Sequence, residues 1–190
     1  MILRTDCSIV QLPPTPDFSA GKNTVKSDPN FGTPIVRFTD ETDNPNSLMT
    51  ADSGNAGIWN LNDTLLLVKS NGGASWLYQF NPAKMQRVAL IGKYTGKLCF
   101  SRTAATSLYE LDGTVVTRIQ FLKVSGVWKE KSRAVVCDFA KILPAGFQIN
   151  WIGTFLVSQQ DQSIAVAYSE GVQNTAYLAC VWQKGKGKGY

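Results

Sequence analysis

The chain has 190 residues, of which 44% are hydrophobic, so it is long enough and apolar enough to bury the core of one globular domain. Its formal net charge is +5, but three positive charges lie in the terminal stretch KGKGKGY, and the nearly balanced remainder lacks the basic stripe typical of nucleic-acid binding. No stretch approaches the roughly 18 apolar residues of a membrane span, and the absence of histidine excludes a Ser-His-Asp or Cys-His catalyst within this sequence.

The first part of the chain is rich in proline, with six of the eight prolines among the first 45 residues. Proline removes a backbone donor and biases its predecessor towards extended geometry, so we expect residues 1–34 to form an extended arm or linker. The beginning is not a convincing signal peptide, because Arg4 and Asp6 interrupt a very short apolar run. The stretch PIVRF then predicts a strand, and TDETDNPNSLMTADSGNAG predicts a polar loop.

From residue 57 onwards the chain alternates apolar segments with turn residues. In GIWNLNDTLLLVKSNGGASWLYQF, two apolar segments flank NGG, whose residues suit the positive φ angles of a tight hairpin. GIWN is expected to form the preceding strand, NPAKM a turn, and QRVALIG the last strand. This four-stranded unit covers residues 57–92, and similar units are predicted at 98–140 and 147–183.

The three units share a threonine that closes the first turn, a polar hairpin turn and a fourth apolar strand. The threonines are Thr64, Thr106 and Thr154, and the hairpin turns are NGG, DG and QQDQ. A four-stranded unit that recurs roughly every 40–50 residues is typical of β-propeller blades. The expected fold is therefore all-β, a partial β-propeller of about three to three and a half antiparallel blades, with a β-sandwich as the alternative. Because closed propellers have about four to eight blades, three blades imply a fragment of a longer protein, a pair of copies or an open arc.

Several segments resemble known propellers. WNLNDTLLLV followed by LYQFNPAKM is similar to the tandem repeat of TolB-like, WD40-like propellers. GTPIVRFTDETDN with NAGIWNLNDTLLLV, and LPAGFQINW with DQSIAVAYS, resemble a narrower group of uncharacterised bacterial propeller-domain proteins, usually secreted or envelope-associated. The resemblance covers roughly 33–183, and it departs from the pattern where RTAAT replaces the Asp/Gly turn. It implies a propeller domain longer than this chain and a secreted or periplasmic location, and no activity follows from it.

One acidic cluster suggests a metal site. Asp40, Asp43 and Asn44 offer oxygen ligands that would suit calcium, whereas an Asx-rich surface turn explains the same residues without a metal. No other cofactor is expected, since the sequence has neither a P-loop nor a GxGxxG motif.

Carboxylates for glycoside cleavage would have to come from aspartates at the turns, namely Asp63, Asp112 and Asp161. Aspartate is favoured at such turns for backbone reasons alone, so a structural role is the expected one.

Tryptophans that would suit sugar stacking are Trp59, Trp76, Trp128, Trp151 and Trp182. Trp59 and Trp151 fall in or near the first strands of their units, so we expect core packing for them. Trp128 lies in the polar stretch SGVWKEKSR, which predicts a loop, and is the best candidate for an exposed binding aromatic. Lys129, Lys131 and Arg133 beside it would engage an acidic ligand, and a solvated loop is the alternative.

Cys99, Cys137 and Cys180 lie in apolar strand segments, so we expect free, buried thiols, with disulfide pairing as the alternative. The basic Gly/Lys tail 184–190 is expected to be solvated rather than bound to an anionic surface. These patterns favour a non-catalytic binding scaffold that recognises a protein or glycan through loops. The alternatives are a propeller enzyme acting on envelope or extracellular polysaccharide, and a structural component that self-assembles through open blade faces.

Overall fold

The computed structural model describes residues 17, 19–29, 31–43, 49–50, 57–70, 73–171 and 177–186. Within these ranges the regular structure consists of thirteen β-strands and two short 3-10 turns, so the predicted all-β class is confirmed. The strands form four antiparallel sheets, none of which closes on itself in the described ranges. No helix in these ranges is long and apolar enough to cross a membrane.

A short hairpin precedes the three larger sheets. It pairs β1 (Val25–Ser27) with β2 (Pro34–Val36), so the proline-rich segment contributes one strand of its own. Asn23 ties this hairpin to the following sheet, because its Oδ1 accepts from the Arg87 backbone N–H at 2.7 Å and its Nδ2 donates to the Arg87 carbonyl at 3.2 Å.

The three larger sheets are meanders in which consecutive strands pair. Sheet 1 contains β3 (Met49–Thr50), β4 (Leu65–Ser70), β5 (Ser75–Asn81) and β6 (Gln86–Tyr94). Sheet 2 contains β7 (Lys97–Phe100), β8 (Ser107–Asp112), β9 (Val115–Val124) and β10 (Val127–Asp138). Sheet 3 contains β11 (Trp151–Val157), β12 (Ser163–Ser169) and β13 (Leu178–Gln183).

The turns that the sequence predicts do connect these strands. Gly113, at φ +57°, lies in the β8–β9 connection, and Gly73, at φ +86°, lies between β4 and β5; glycine takes such angles without steric cost. In NPAKM, the Asn81 side chain accepts from the Lys84 backbone N–H at 3.2 Å and so caps a 3-10 turn.

The sheets pack face to face through apolar side chains. Between sheets 1 and 2 lie Leu65, Leu67, Leu77, Tyr94, Leu98, Phe100, Leu108, Ile119 and Phe121. Between sheets 2 and 3 lie Cys99, Tyr109, Leu111, Val116, Phe139, Phe155, Val157, Ile164, Val166, Tyr168 and Cys180. Burial of a large apolar side chain contributes about 1.5–3 kcal/mol, so these two layers supply most of the stabilisation.

The outer faces of the stack differ from each other. On sheet 1 the outer face carries Tyr78 and Trp76, which pack against Phe38 and Trp59 from the preceding part of the chain. On sheet 3 the outer face carries a cross-strand row of Leu156, Ala165 and Val181, in which Leu156 is 47% exposed.

The neighbouring sheets contact each other in a regular order. The first strand of sheet 2, β7, lies against the first strand of sheet 3, β11. The last strand of sheet 2, β10, lies against the last strand of sheet 1, β6. The described contacts therefore bring together one pair of first strands, β7 and β11, and one pair of last strands, β6 and β10.

Two details of the predicted units are wrong. GIWN is not a full strand: Trp59 makes one isolated bridge to Leu66, and the first strand of sheet 1 is β3, inside the stretch predicted to be loop. The third unit shows three strands in the described ranges, because Thr154 lies within β11 and does not close a turn. Strand β11 continues past Thr154, with a bulge between Ile152 and Phe155 where its pairing with β12 shifts.

The prediction of free, buried thiols is confirmed in full for two of the three described cysteines. Cys99 and Cys180 are buried, Cys137 is half-buried, and all three are free. Burial raises the pKa of each thiol, that of Cys137 to about 12, so these cysteines pack as protonated hydrophobes. Cys7 lies outside the described residues.

Candidate functional site

A similar turn recurs immediately before the second strand of each sheet. It begins with Asn60, Ser101 or Ser158. In each copy the first residue donates its backbone N–H to the carbonyl of the last residue, namely Leu65 at 3.2 Å, Ser107 at 3.1 Å and Ser163 at 2.9 Å. The side-chain oxygen of the first residue also accepts backbone N–H groups within its own turn. A short polar side chain that satisfies backbone donors locally is what stabilises such a turn.

These turns are joined from sheet to sheet. Asp161, in the turn of sheet 3, accepts from the Arg102 backbone N–H at 2.8 Å, from Thr103 Oγ1 at 2.7 Å and from Ser101 Oγ, all in the turn of sheet 2. Burial alone would raise the pKa of Asp161, but these hydrogen bonds outweigh it and lower the pKa. Asn60 likewise donates to the Ala105 carbonyl at 2.8 Å.

An open cleft of about 520 Å³ lies at the opposite end of the strands from these turns. It is lined by strand ends and connections from all three sheets: Lys69, Gly73, Ser75, Thr95, Gly96, Lys97, Leu98, Leu111, Asp112, Gly113, Ile149, Asn150, Trp151 and Ile152. Tyr168 fixes sheet 3 to sheet 2 at this end, because its hydroxyl donates to the Gly113 carbonyl at 3.2 Å. The cleft is therefore a product of sheet stacking.

Trp151 is the largest side chain in the cleft and is half-buried. Its ring centroid lies 5.5 Å from that of Tyr177, and Lys97 Nζ lies 5.6 Å from the Trp151 ring. Gly153 makes room for this pair, since a Cβ there would come within 2.7 Å of the Trp151 ring. The sequence pattern predicted core packing for Trp151, and only the position of β11 at the edge of the cleft explains why it is accessible.

The site predicted from SGVWKEKSR has a different structure from the expected loop. Trp128 lies in strand β10, half-buried, and packs against the core between sheets 1 and 2. Its backbone N–H donates to Gln79 Oε1 at 3.1 Å, and Gln79 Nε2 donates to the Gly126 carbonyl at 3.0 Å. The loop placement is therefore wrong, because the long β9–β10 hairpin continues through these residues. A binding role for Trp128, Lys129 and Lys131 stays a prediction.

Arg133 is held by two carboxylates of its own sheet. Its guanidinium bonds Glu130 at 2.7 Å and Glu110 at 2.6 Å. These hydrogen bonds, the one to Glu130 first, raise the pKa of Arg133 further above its usual range. Because the Glu110 side chain is only 10% exposed, Arg133 serves to compensate a buried charge.

Replacing Arg133 by methionine is expected to lower the free energy of unfolding by about 1–2 kcal/mol, because Glu110 would lose its cation while remaining buried. Lys131→Met is the matched control on the same strand, and an exposed lysine should change stability by no more than about 0.5 kcal/mol. Urea denaturation of both variants measures the difference, and equal effects would contradict a structural role for Arg133.

In the acidic cluster, the carboxylates of Asp40 and Asp43 form ion pairs with basic side chains of the same protein. Lys22 Nζ lies 3.4 Å from Asp40 and 3.6 Å from Asp43, and Arg87 Nη1 lies 2.8 Å from Asp43. Hydrogen bonds from Thr42 and from the Lys22 backbone N–H hold the pKa of Asp40 well below its usual range. Among the described residues no three metal-binding side chains converge, and Asn44 lies outside them. The described geometry is that of an ion-pair cluster, and calcium binding stays a prediction.

The three turn aspartates are not brought together. Asp63 and Asp161 lie in the turns at one end of the sheets, whereas Asp112 lines the cleft at the other. Asp112 is the one carboxylate among the described residues of the cleft, while two carboxylates flank the bond in a typical glycosidase.

Comparisons with protein-family models, with curated proteins and with solved structures give no match. The resemblance to TolB-like propellers therefore stays a prediction from the residues quoted for it.

Proposed function

We propose that this chain is a non-catalytic binding domain, built as part of a β-propeller, that recognises its ligand in the cleft where sheets 1, 2 and 3 meet. The observation that carries the proposal is the cleft itself, with its half-buried tryptophan among lysine, asparagine and serine side chains. Ligand sites are typically concave, with aromatic walls and a few placed polar groups.

The blade interpretation is supported by the order of strand contacts. Blades are four-stranded antiparallel meanders stacked around an axis, so first strands face first strands and last strands face last strands. The β7–β11 and β6–β10 contacts follow this order, and the turns at Asn60, Ser101 and Ser158 recur at the same place in each sheet. In this arrangement sheets 1, 2 and 3 are three successive blades.

Binding in the cleft is supported by how the cleft is held. Its walls come from strand ends that hydrogen bonds and apolar layers keep in place, and variable connections on a rigid scaffold suit recognition. A preformed site loses little conformational entropy when it binds its ligand.

Trp151→Ala is expected to weaken binding of any ligand of the cleft about tenfold, equivalent to about 1.4 kcal/mol, because the variant removes the main apolar wall. The test is isothermal titration calorimetry with defined oligosaccharides and short peptides. Trp128→Ala is the matched control at the opposite end of sheet 2, and it should leave affinity unchanged. Loss of binding in Trp128→Ala with full binding in Trp151→Ala would move the site to β10 and contradict the cleft.

A further inference from the structure

We infer that the exposed edge of strand β10 binds an acidic peptide in extended conformation, which adds to sheet 2 as a further strand. This interaction surface is separate from the cleft and does not depend on the proposed function. Two observations carry the inference. In the described part of sheet 2, β10 is an end strand, and its exposed lysines Lys129 and Lys131 have no ion-pair partner among the described residues.

Strand β10 is accessible to solvent over most of its length. Its contacts with sheet 1 involve Trp128, which donates to Gln79, and Arg133, which lies 5.6 Å from the ring centroid of Tyr94. Residues 129–135 are nevertheless all exposed. A partner can therefore reach this part of the strand without displacing another element of the described fold.

The backbone of β10 turns hydrogen-bonding groups away from β9. A two-residue turn at 125–126 closes the β9–β10 hairpin, so the pair of valines that flanks it is hydrogen-bonded. Bonded and non-bonded pairs alternate along antiparallel strands, which directs the Trp128 N–H outwards. Its hydrogen bond to Gln79 Oε1 confirms this direction. By the same alternation, Glu130 directs its N–H and carbonyl away from β9.

Beyond Lys131 the strand is regular again. The pairing with β9 shifts between Glu130 and Ser132, so Lys131 is a bulge residue, and residues 132–135 then pair one to one with β9. Every second residue of such a stretch directs its N–H and carbonyl away from the neighbouring strand. An extended peptide can continue this ladder, and main-chain hydrogen bonds of this kind supply affinity when a peptide adds to a sheet edge.

The charge of the edge favours an acidic peptide. Lys129 and Lys131 are exposed and unpaired within the described ranges, whereas Glu130 between them is bonded to Arg133 at 2.7 Å. Lysines on an edge strand oppose pairing with neutral or basic strands. Opposite charges on neighbouring strands attract each other, so an acidic strand would turn the same lysines into favourable contacts.

An apolar contact is also available on this edge. Val135 is 69% exposed, close to the end of the regular stretch. A β-branched residue in the peptide would pack beside it and would favour the extended conformation that strand addition needs. The expected ligand therefore combines carboxylates with β-branched residues.

The test is calorimetric titration of the whole chain with the acidic heptapeptide EVEVEVE. Its affinity should fall as salt is added, because exposed charges are screened. The double variant Lys129→Gln/Lys131→Gln should weaken binding about fivefold or more, as the loss of two cross-strand charge contacts predicts. Amide hydrogen exchange at residues 129–135 should slow when the peptide binds, because their outward N–H groups become bonded.

Matched controls separate charge from strand pairing. Lys184→Gln/Lys186→Gln removes the same charge from two other exposed lysines and should bind as the parent protein does. The peptide with alternate amides N-methylated keeps its carboxylates but cannot continue the ladder, so it should bind about tenfold more weakly or less. The cleft variant Trp151→Ala should bind EVEVEVE normally. Thermal melting of each variant checks that the fold is intact.

The other outcomes overturn the inference. Equal affinity for the N-methylated peptide would mean attraction by charge alone, without strand addition. Tighter, lysine-dependent binding of octathymidylate would assign the surface to nucleic acid. If Trp151→Ala weakens the peptide and the Lys129/Lys131 variant does not, the peptide lies in the cleft, so the inference falls while the proposed function stands. Absence of binding by the folded chain overturns the β10 surface and leaves the cleft to its own test.

Discussion

Asp161→Ala is expected to lower the free energy of unfolding by about 2–3 kcal/mol more than Asp63→Ala, because hydrogen bonds to a charged group contribute about 1.5–3 kcal/mol and their donors would be left without a partner. The Asp161 carboxylate joins the turn of sheet 3 to three donors in the turn of sheet 2. Urea denaturation of the two variants and the parent measures the difference.

Asp63 is a close control because it occupies the same turn position. Its φ is +55° and that of Asp161 is +54°, so alanine meets the same backbone strain at both sites. The Asp63 side chain is exposed and has no partner among the described residues, and the difference between the variants isolates the inter-sheet hydrogen bonds. Equal destabilisation of the two variants would contradict the proposed role of Asp161.

The lowered pKa of Asp161 adds a pH dependence of defined sign. A carboxyl whose folded pKa lies below its unfolded value of about 3.9 contributes its full stabilisation above that value and loses it as the pH falls through the folded pKa. The difference in unfolding free energy between the parent protein and Asp161→Ala should therefore shrink below about pH 4.

Phe155→Ala is expected to cost about 3–5 kcal/mol of unfolding free energy, the usual range for a buried phenylalanine that leaves a cavity. Phe155 is 1% exposed and packs in the layer between sheets 2 and 3. The total free energy of unfolding of a small domain is only about 5–15 kcal/mol, so this variant should melt at a much lower temperature. Chemical and thermal denaturation give the two values.

Leu156→Ala, at the next position of β11, is the matched control. Successive residues of a strand face opposite sides, and Leu156 lies on the outer face of sheet 3 at 47% exposure. Its replacement should cost less than about 1 kcal/mol. A cost for Leu156→Ala equal to that for Phe155→Ala would show that the outer face is covered in solution.

The predictions for Asp161 and Phe155 also concern the cleft, because both residues hold sheet 3 against sheet 2 and sheet 3 carries Trp151. The contacts of Asp161 hold one end of the sheet 2–sheet 3 interface, and Tyr168 with Gly113 holds the other, next to the cleft. Under the proposed binding function, displacement of sheet 3 should therefore lower ligand affinity as well as stability.

By itself, the sequence determined the local elements of this protein. The apolar segments, the hairpin turns at Gly73 and Gly113, and the capped turn after Asn81 were all predictable, because a strand or turn depends on residues close together in the chain. The same reasoning gave the all-β class and the free, buried cysteines.

Tertiary structure alone decided how these elements meet. Three features do not follow from neighbouring residues in the sequence: the hydrogen-bond partners of Asp161, the ion pair of Arg133 with Glu110, and the position of Trp128 in a strand. Trp151 looked like a core residue because its local pattern is that of a buried strand, and it lines the cleft because β11 begins at the end of the stack. The physical reason is that local propensity selects strands and turns, whereas a site depends on contacts between sheets far apart in the chain.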